Sequence, residues 1–393
     1  MTFNPKEGVC LDRVESYDVD LIENLLRCQL NKLGVKDMFN DKRVVIKPNM
    51  VMKKSPEAAA TTHPAVLEAV IRILKETAAE IIIAESPGGL YTAQTLSAAY
   101  KGCGLYEVAE KYGVKLNFDT SSKNVNAPLA KTSKMFDIIS PILDSDVIVN
   151  LAKLKSHSLT GYSGAVKNYF GTVPGVTKFE MHARFPDYND FSSMLVDLCE
   201  MLHSEKKTFN ILDGILAMEG NGPTGGEPRK LGCLLSGVNP FTVDIVGTSI
   251  IKAEGIIMLE EGVRRGYCPE KAEDVTLICD ETVGDFTVDD FAKPDTKRKG
   301  GSSLLAKLPT MFGGRLNSWL QPRPVINKKL CVGCGECERS CPKHTIEIRK
   351  NSNGKKQAYI IDEACIKCYC CQELCPFKAV KIKKNPIIKL IGG

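Results

Sequence analysis

The sequence predicts an α/β domain with a mostly parallel sheet, followed by a small cysteine-rich α+β domain. Three observations carry this. Up to about residue 290, short apolar runs alternate with amphipathic stretches, the pattern of strands covered on both faces by helices. From 292 to 324 the composition shifts to glycine, proline and charge, which reads as a linker. Beyond that, nine of the sixteen cysteines fall between Cys331 and Cys375 in two copies of one motif. At roughly 150 residues per domain, a chain of this length holds two or three domains. The expected division is 1–291, a linker at 292–324, and 325–393.

In the first domain, the runs at 44–46, 81–84, 114–116, 146–150, 209–213 and 275–278 read as buried strands. The clearest helices are expected at 64–77 and 191–203. In a parallel sheet, reactive groups gather beyond the carboxyl ends of the strands. The candidates are therefore the residues that follow each run. They are Lys47-Pro48-Asn49, then Glu85, then Asn150 with Lys153, Lys155 and His157, then Lys167 and Asn168. Asp213 and Glu219 follow the fifth run and lead into a glycine-rich segment at 220–226. His63 precedes a helix, and His182 and Arg184 are expected in a polar loop. Ammonium groups beside glycine-rich turns favour an anion, and histidine moves protons near neutral pH. Lys153, Lys155, His157 and Lys167 are thus the expected catalytic group, with Glu219 or Asp213 as acid or base. The glycine segment lacks the Lys-Ser/Thr of a phosphate-binding P-loop, and no G-x-G-x-x-G follows the first strand. Asn239-Pro240 reads as a helix cap, with Asp244 near the first turn for its dipole.

The linker contains an apolar stretch at 304–320 with Trp319, broken by Pro309 and Gly313-Gly314. It is expected to pack on the large domain rather than lie on a membrane.

The strongest signal is a repeat at an offset of 34 residues. Cys331-Val-Gly-Cys334-Gly-Glu-Cys337-Glu-Arg-Ser-Cys341-Pro342 is echoed by Cys365-Ile-Lys-Cys368-Tyr-Cys-Cys371-Gln-Glu-Leu-Cys375-Pro376. Both are C-x2-C-x2-C-x3-C-P, the run that holds cubane iron–sulfur clusters in two-cluster ferredoxins. Three closely spaced thiolates converge on one cube, and the fourth opens a helix and points to the other. Cluster one is therefore expected on Cys331, Cys334, Cys337 and Cys375, and cluster two on Cys365, Cys368, Cys371 and Cys341. Four-thiolate zinc explains sets of four cysteines but not two full repeats ending in x3-C-P. Cys370 is left as a spectator. Alternating residues at 345–349 and 358–362, with an Asn353-Gly354 turn between them, complete a small ferredoxin-like domain.

Residues 325–393 carry a net charge of +8, while the whole chain carries +5. Two clusters at about −2 each offset half of that excess. The remainder suits an acidic redox partner. No nucleic-acid motif accompanies the lysines, no apolar run approaches the ~18 residues of a membrane helix, and the N-terminal residues lack a signal-peptide core. A cytoplasmic protein without nucleic-acid or membrane partners is expected.

Lys47-Pro48-Asn49, the stretch from Asn150 to His157, Gly164-Ala-Val-Lys167-Asn168, and Asp213-Gly-Ile with Glu219-Gly-Asn221-Gly-Pro together resemble the domain of unknown function 362 family, fused to a two-cluster ferredoxin. The resemblance implies an iron–sulfur protein of a kind common in anaerobic bacteria and archaea, with a redox role. The expected function is an oxidoreductase in which two [4Fe–4S] clusters relay low-potential electrons to or from a small anionic substrate in the first domain. A ferredoxin or flavoprotein would serve as partner. Two other readings stand beside it: a non-catalytic adaptor that docks a redox partner, and a non-redox lyase or isomerase with structural clusters.

Overall fold

The computed structural model describes residues 3–4, 7–278, 280–296 and 321–384. The large domain contains β1 (Val9–Arg13), β2 (Arg43–Pro48), β3 (Glu80–Ile83), β4 (Lys115–Leu116), β5 (Ser122–Asn126), β6 (Met135–Ile139), β7 (Val147–His157), β8 (Gly161–Ser163), β9 (Lys207–Glu219) and β10 (Glu227–Gly237). Its helices are α1 (Val19–Lys32), α2 (Pro64–Leu74), α3 (Ala93–Gly102), α4 (Leu105–Tyr112), α5 (Ser140–Leu143), α6 (Ala165–Asn168), α7 (Gly175–Arg184), α8 (Tyr188–Glu205), α9 (Pro240–Ile250) and α10 (Ile257–Arg264).

The main sheet has the order β1-β10-β9-β7-β2-β3-β4, with β8 folded back on β7. From β9 to β4 all pairs are parallel, while β10 and β1 add an antiparallel edge. Side-chain alternation explains the layers. Val44 and Ile46 of β2, with Val147, Val149 and Leu151 of β7, face a core shared with α1 to α4. Val45, Ile148 and Leu154 face the opposite core, shared with α8 and α9. Helix starts follow local chemistry: His63 Nδ1 accepts from Ala65 N–H ahead of Pro64, and Asn239 Oδ1 accepts from Phe241 N–H ahead of α9.

Several expectations are corrected here. β7 continues to His157 and β9 to Glu219, so Lys153, Lys155, His157 and Glu219 lie within strands rather than in loops after them. The strands outlast their apolar runs because each finds partners: Lys153 pairs with Asp213 across the sheet, and Lys155 to His157 pair with β8. The segment at 275–278 supplies only a single bridge, Val9 to Leu277. The sheet edge is built instead by β1 and β10, whose mixed polarity hid them. The glycine-rich 220–226 is the turn of the β9–β10 hairpin. His182 and Arg184 stand in α7, not in a loop. The apolar stretch with Trp319 lies outside the described residues.

In the small domain, β11 (Arg323–Ile326) pairs with β14 (Val380–Lys383), and β12 (Ile346–Lys350) pairs with β13 (Lys356–Ile360). β11 thus starts two residues before Val325. Helical turns at Glu336–Arg339 and Cys370–Glu373 carry the cysteine motifs.

The second turn docks on the large domain. Gln372 Nε2 donates to the Asn221 carbonyl at 2.8 Å, and Thr224 Oγ1 donates to the Glu373 carbonyl at 2.5 Å. Lys378 Nζ donates to the Gly226 carbonyl at 3.2 Å. The platform is therefore the glycine-rich turn. Leu374 also packs close to Gly88, where a Cβ would stand 2.8 Å from its Cδ2.

Candidate active site between the two domains

Lys155 is fully buried on β7, and its ammonium donates to Asn49 Oδ1 at 2.6 Å and the Ala60 carbonyl at 2.8 Å. A ladder of amides orients it. Asn49 Nδ2 donates to Asn168 Oδ1 at 2.8 Å, Asn168 Nδ2 to Asn150 Oδ1 at 2.7 Å, and Asn150 Nδ2 to Asn210 Oδ1 at 2.8 Å. These asparagines tie the residue after β2 and the interiors of β7 and β9 to the end of α6, so the site's frame is satisfied neutral polarity. Burial, with Lys153 and Lys167 nearby, lowers the Lys155 pKa to about 7.

Lys167 projects from α6. Asp244, buried in α9, accepts from the Ala165 and Val166 N–H groups at 2.7 and 2.9 Å and from the Tyr162 hydroxyl at 3.1 Å. The role of Asp244 is therefore to seat the segment that carries Lys167, not to serve its own helix. The Lys167 ammonium lies 4.5 Å from the centre of the Phe170 ring and has no hydrogen-bond partner among the described residues. Burial lowers its pKa.

Two further groups join it: Lys178, which was not anticipated, and the expected Lys47 with Glu85. Lys178 of α7 is buried with its ammonium on the Ser86 carbonyl, and burial lowers its pKa to about 7. Lys47 pairs with Glu85, both buried; burial lowers the lysine and raises the acid. Gly171 leaves room for that carboxylate, since a Cβ would fall 2.0 Å from Glu85 Oε1. The signals for Lys178 were its place one helical turn before His182 and the glycine at the start of α7.

His157 Nδ1 accepts from the Leu159 and Thr160 N–H groups at 3.1 and 3.4 Å, which leaves the proton on Nε2. Burial first, then Lys167 and Lys155, hold its pKa well below the usual value. Its Nε2 faces Glu373 Oε1 at 3.5 Å, beyond a firm hydrogen bond. Glu373 thus enters this site from the small domain, on the turn between Cys371 and Cys375. Burial raises its pKa to about 7, opposed by Lys167 and Lys155. His182, stacked on Phe191 at 4.3 Å, is neutral, its pKa pushed by burial to about 3.

Lys153 comes next to this group with its charge already matched. It donates to Asp213 at 2.7 Å and to the Tyr17 hydroxyl at 2.8 Å, and Tyr17 donates to Asp213 at 3.0 Å. A shift in register between β7 and β9 after Lys153 separates it from Lys155. Glu219 is not brought to the site. Its Oε2 accepts from Ala292 N–H at 3.0 Å near the surface.

Four lysines (Lys47, Lys155, Lys167 and Lys178) therefore face two carboxylates, Glu85 and Glu373, with both histidines neutral. Buried charge is expensive unless matched, so the arrangement favours an added anion. Buried polar side-chain atoms without partners point the same way. Five occur among the described residues, and Ser86 Oγ and Glu373 Oε1 are at this site.

In the small domain, Cys331, Cys334, Cys337 and Cys375 line one cavity with Ile326, Ile348 and Val380. Cys341, Cys365, Cys368 and Cys371 line a second with Pro324, Ile346 and Ile360. Backbone N–H groups of Ala358, Thr345 and Ala379 point at the sulfurs of Cys331, Cys341 and Cys375 at 3.2 to 3.3 Å. Thiolates spread round a void in an apolar shell, with N–H donors at the sulfurs, fit iron–sulfur cubes. Cys370 is buried but does not line the second cavity.

The fold and the cysteine cavities define an α/β iron–sulfur protein with a ferredoxin-like 4Fe–4S domain. Residues 330–379 match the 4Fe–4S dicluster domain, and residues 44–249 match the domain of unknown function DUF362. The chain belongs to the DUF362 family. It is 32% identical over 284 residues to the thylakoid-associated protein sll1697 of Synechocystis sp., covering 68% of this chain and 82% of that one. Two solved structures are similar at 15% identity. One is a Thermotoga maritima protein (TM-score 0.37; 58% of this chain and 57% of the other). The second is the lactate racemase apoprotein of Thermoanaerobacterium thermosaccharolyticum (TM-score 0.35; 62% and 56%). The chain thus spans a little over half the length of each structure. Among the described residues, no helix is long and apolar enough to cross a membrane.

Proposed function

We propose that this protein is an iron–sulfur oxidoreductase acting on a small anionic substrate held between its two domains. Two [4Fe–4S] clusters, one per set of four cysteines, would supply single electrons at low potential. Lys155 and Lys167 hold the anion, the former on its amide ladder and the latter against Phe170. His157, with its proton on Nε2, is the group placed to donate a hydrogen bond to the substrate. Lys47 with Glu85, and Lys178, shape the positive wall behind them. The cytoplasmic setting belongs to the same proposal, and only the name of the Synechocystis relative speaks of thylakoids.

The observation that carries this reading is Glu373. It sits between two cluster ligands in the chain, yet its carboxylate enters the lysine and histidine group of the other domain, with Oε1 buried and unpartnered. The cysteine cavities and the charged site are thus two sides of one short helical turn.

The test is anaerobic. Dithionite-reduced protein, freed of excess reductant, is exposed to fractionated pools of anionic metabolites while the visible absorbance of the clusters is followed. One fraction should reoxidise the wild type rapidly. The Lys155→Met/Lys167→Met variant should keep its cluster spectrum and lose that response. Reoxidation at the wild-type rate in the variant would overturn the site assignment.

A further inference from the structure

The two cysteine cavities face different surroundings. The turn carrying Cys371 is packed on the large domain through Gln372 and Glu373. On the first set, Cys334 is exposed, and Val332 and Phe377, which line that cavity, are 48% and 47% exposed. Leu330 beside them is 43% exposed. Three large apolar side chains around one exposed ligand make a patch with a reason to exist.

A basic rim surrounds the patch. Lys328 sits over the Tyr359 ring at 3.2 Å and donates to the Ala358 carbonyl. Lys329 is exposed next to Leu330. Lys356 lies against Gly333 of the motif, whose Cβ would meet it at 2.6 Å. Arg339 reaches the Cys334 carbonyl at 3.4 Å. Only Glu336, already bound to Arg339 at 2.7 Å, and Glu338, which accepts from Ile348 N–H, oppose them on this motif. An apolar centre with a charged rim is the build of a transient docking face, where the rim sets encounter rate and orientation.

We propose that this face docks a small acidic electron-carrier protein. The exposed ligand at its centre selects an electron carrier over other acidic proteins, and the rim charge selects an acidic one. On contact the reduced carrier gives up one electron, is oxidised by one, and the chain is reduced by one. No bond is made or broken. This inference rests on the reading that electrons pass through the small domain, but it does not depend on what the charged site converts.

The test measures binding and uses the full cluster-loaded chain. A purified acidic two-cluster ferredoxin is the probe, basic cytochrome c the control, and phosphatidylglycerol vesicles a third arm. Affinity for the acidic ferredoxin should fall about tenfold or more between 50 and 500 mM salt. It should fall by a similar factor in Lys329→Glu/Lys356→Glu, and Val332→Asp should weaken it at every salt concentration. Lys115→Glu, far away on the large domain, should change nothing, and cytochrome c should not bind. Unchanged affinity in the rim and Val332 variants overturns the proposal. So does loss of vesicle binding or of self-association by those variants while ferredoxin binding persists. If the ferredoxin binds as described while no metabolite reoxidises the protein, the fault lies in the substrate reading and not here.

Discussion

Replacing Lys155 with methionine should leave the protein at least as stable as the wild type, while the same change two residues earlier should cripple it. The Lys155 ammonium is wholly buried and bonded only to neutral acceptors, with its pKa lowered from 10.5 to about 7 by burial. At 1.36 kcal/mol per pH unit, holding it folded at pH 7 costs ~4 kcal/mol. Methionine removes that cost and leaves Asn49 Oδ1 and the Ala60 carbonyl without a donor, ~1.5 kcal/mol each. The net is a gain of ~1 kcal/mol. Lys153→Met instead leaves Asp213 buried without its cation, a loss of ~3–5 kcal/mol. At ~2 °C per kcal/mol for a domain of this size, the two variants should melt ~10 °C apart.

The pH dependence has a definite sign. A lysine whose folded pKa is lowered makes the folded state bind fewer protons than the unfolded one between pH 7 and 10.5. The wild-type deficit is therefore full below pH 7 and fades as the pH rises toward 10.5. The advantage of Lys155→Met should shrink in the same window. Anaerobic urea unfolding, followed by far-ultraviolet circular dichroism at several pH values, measures both effects. If Lys155→Met loses as much stability as Lys153→Met, or its gain is flat with pH, the account of Lys155 as an unmatched buried cation is wrong.

Two shorter predictions concern the other halves of the molecule. Cys341→Ser combined with Cys368→Ser should cost one cluster and leave about four irons per chain, whereas Cys375→Ser with Cys368→Ser should cost both; equal iron in the two double variants would break the crosswise pairing. Gly171→Ala should push a methyl into the Glu85 carboxylate, 2.0 Å away, and disturb its pair with Lys47, costing ~2 kcal/mol in denaturant unfolding. An unchanged midpoint would mean that the pair yields freely.

What could be read along the chain follows from how local each interaction is. The cysteine repeat announced iron–sulfur chemistry because most ligands of a cube come from one short loop, so spacing alone encodes the geometry. Apolar runs at 44–46 and 146–150 announced buried parallel strands, because a strand covered on both faces has no polar side. Lys155, His157 and Lys167 emerged from the rule that sites sit at strand ends. β1 and β10 escaped notice because an antiparallel edge tolerates polar residues such as Asp12, Arg13 and Lys230, so periodicity faded there.

The sequence by itself determined the domain order, the metal chemistry and the basic character of the candidate site, all of which depend on residue type and near spacing. Only the tertiary structure decided which charges meet. It matched Lys153 to Asp213 and Tyr17, left Lys155 and Lys167 without an acid of their own, brought Lys178 across from α7, and carried Glu373 in from the other domain. The physical reason is range. A cation's worth in a folded protein is set by burial and by partners dozens of residues or more away in the chain, and no local pattern records them.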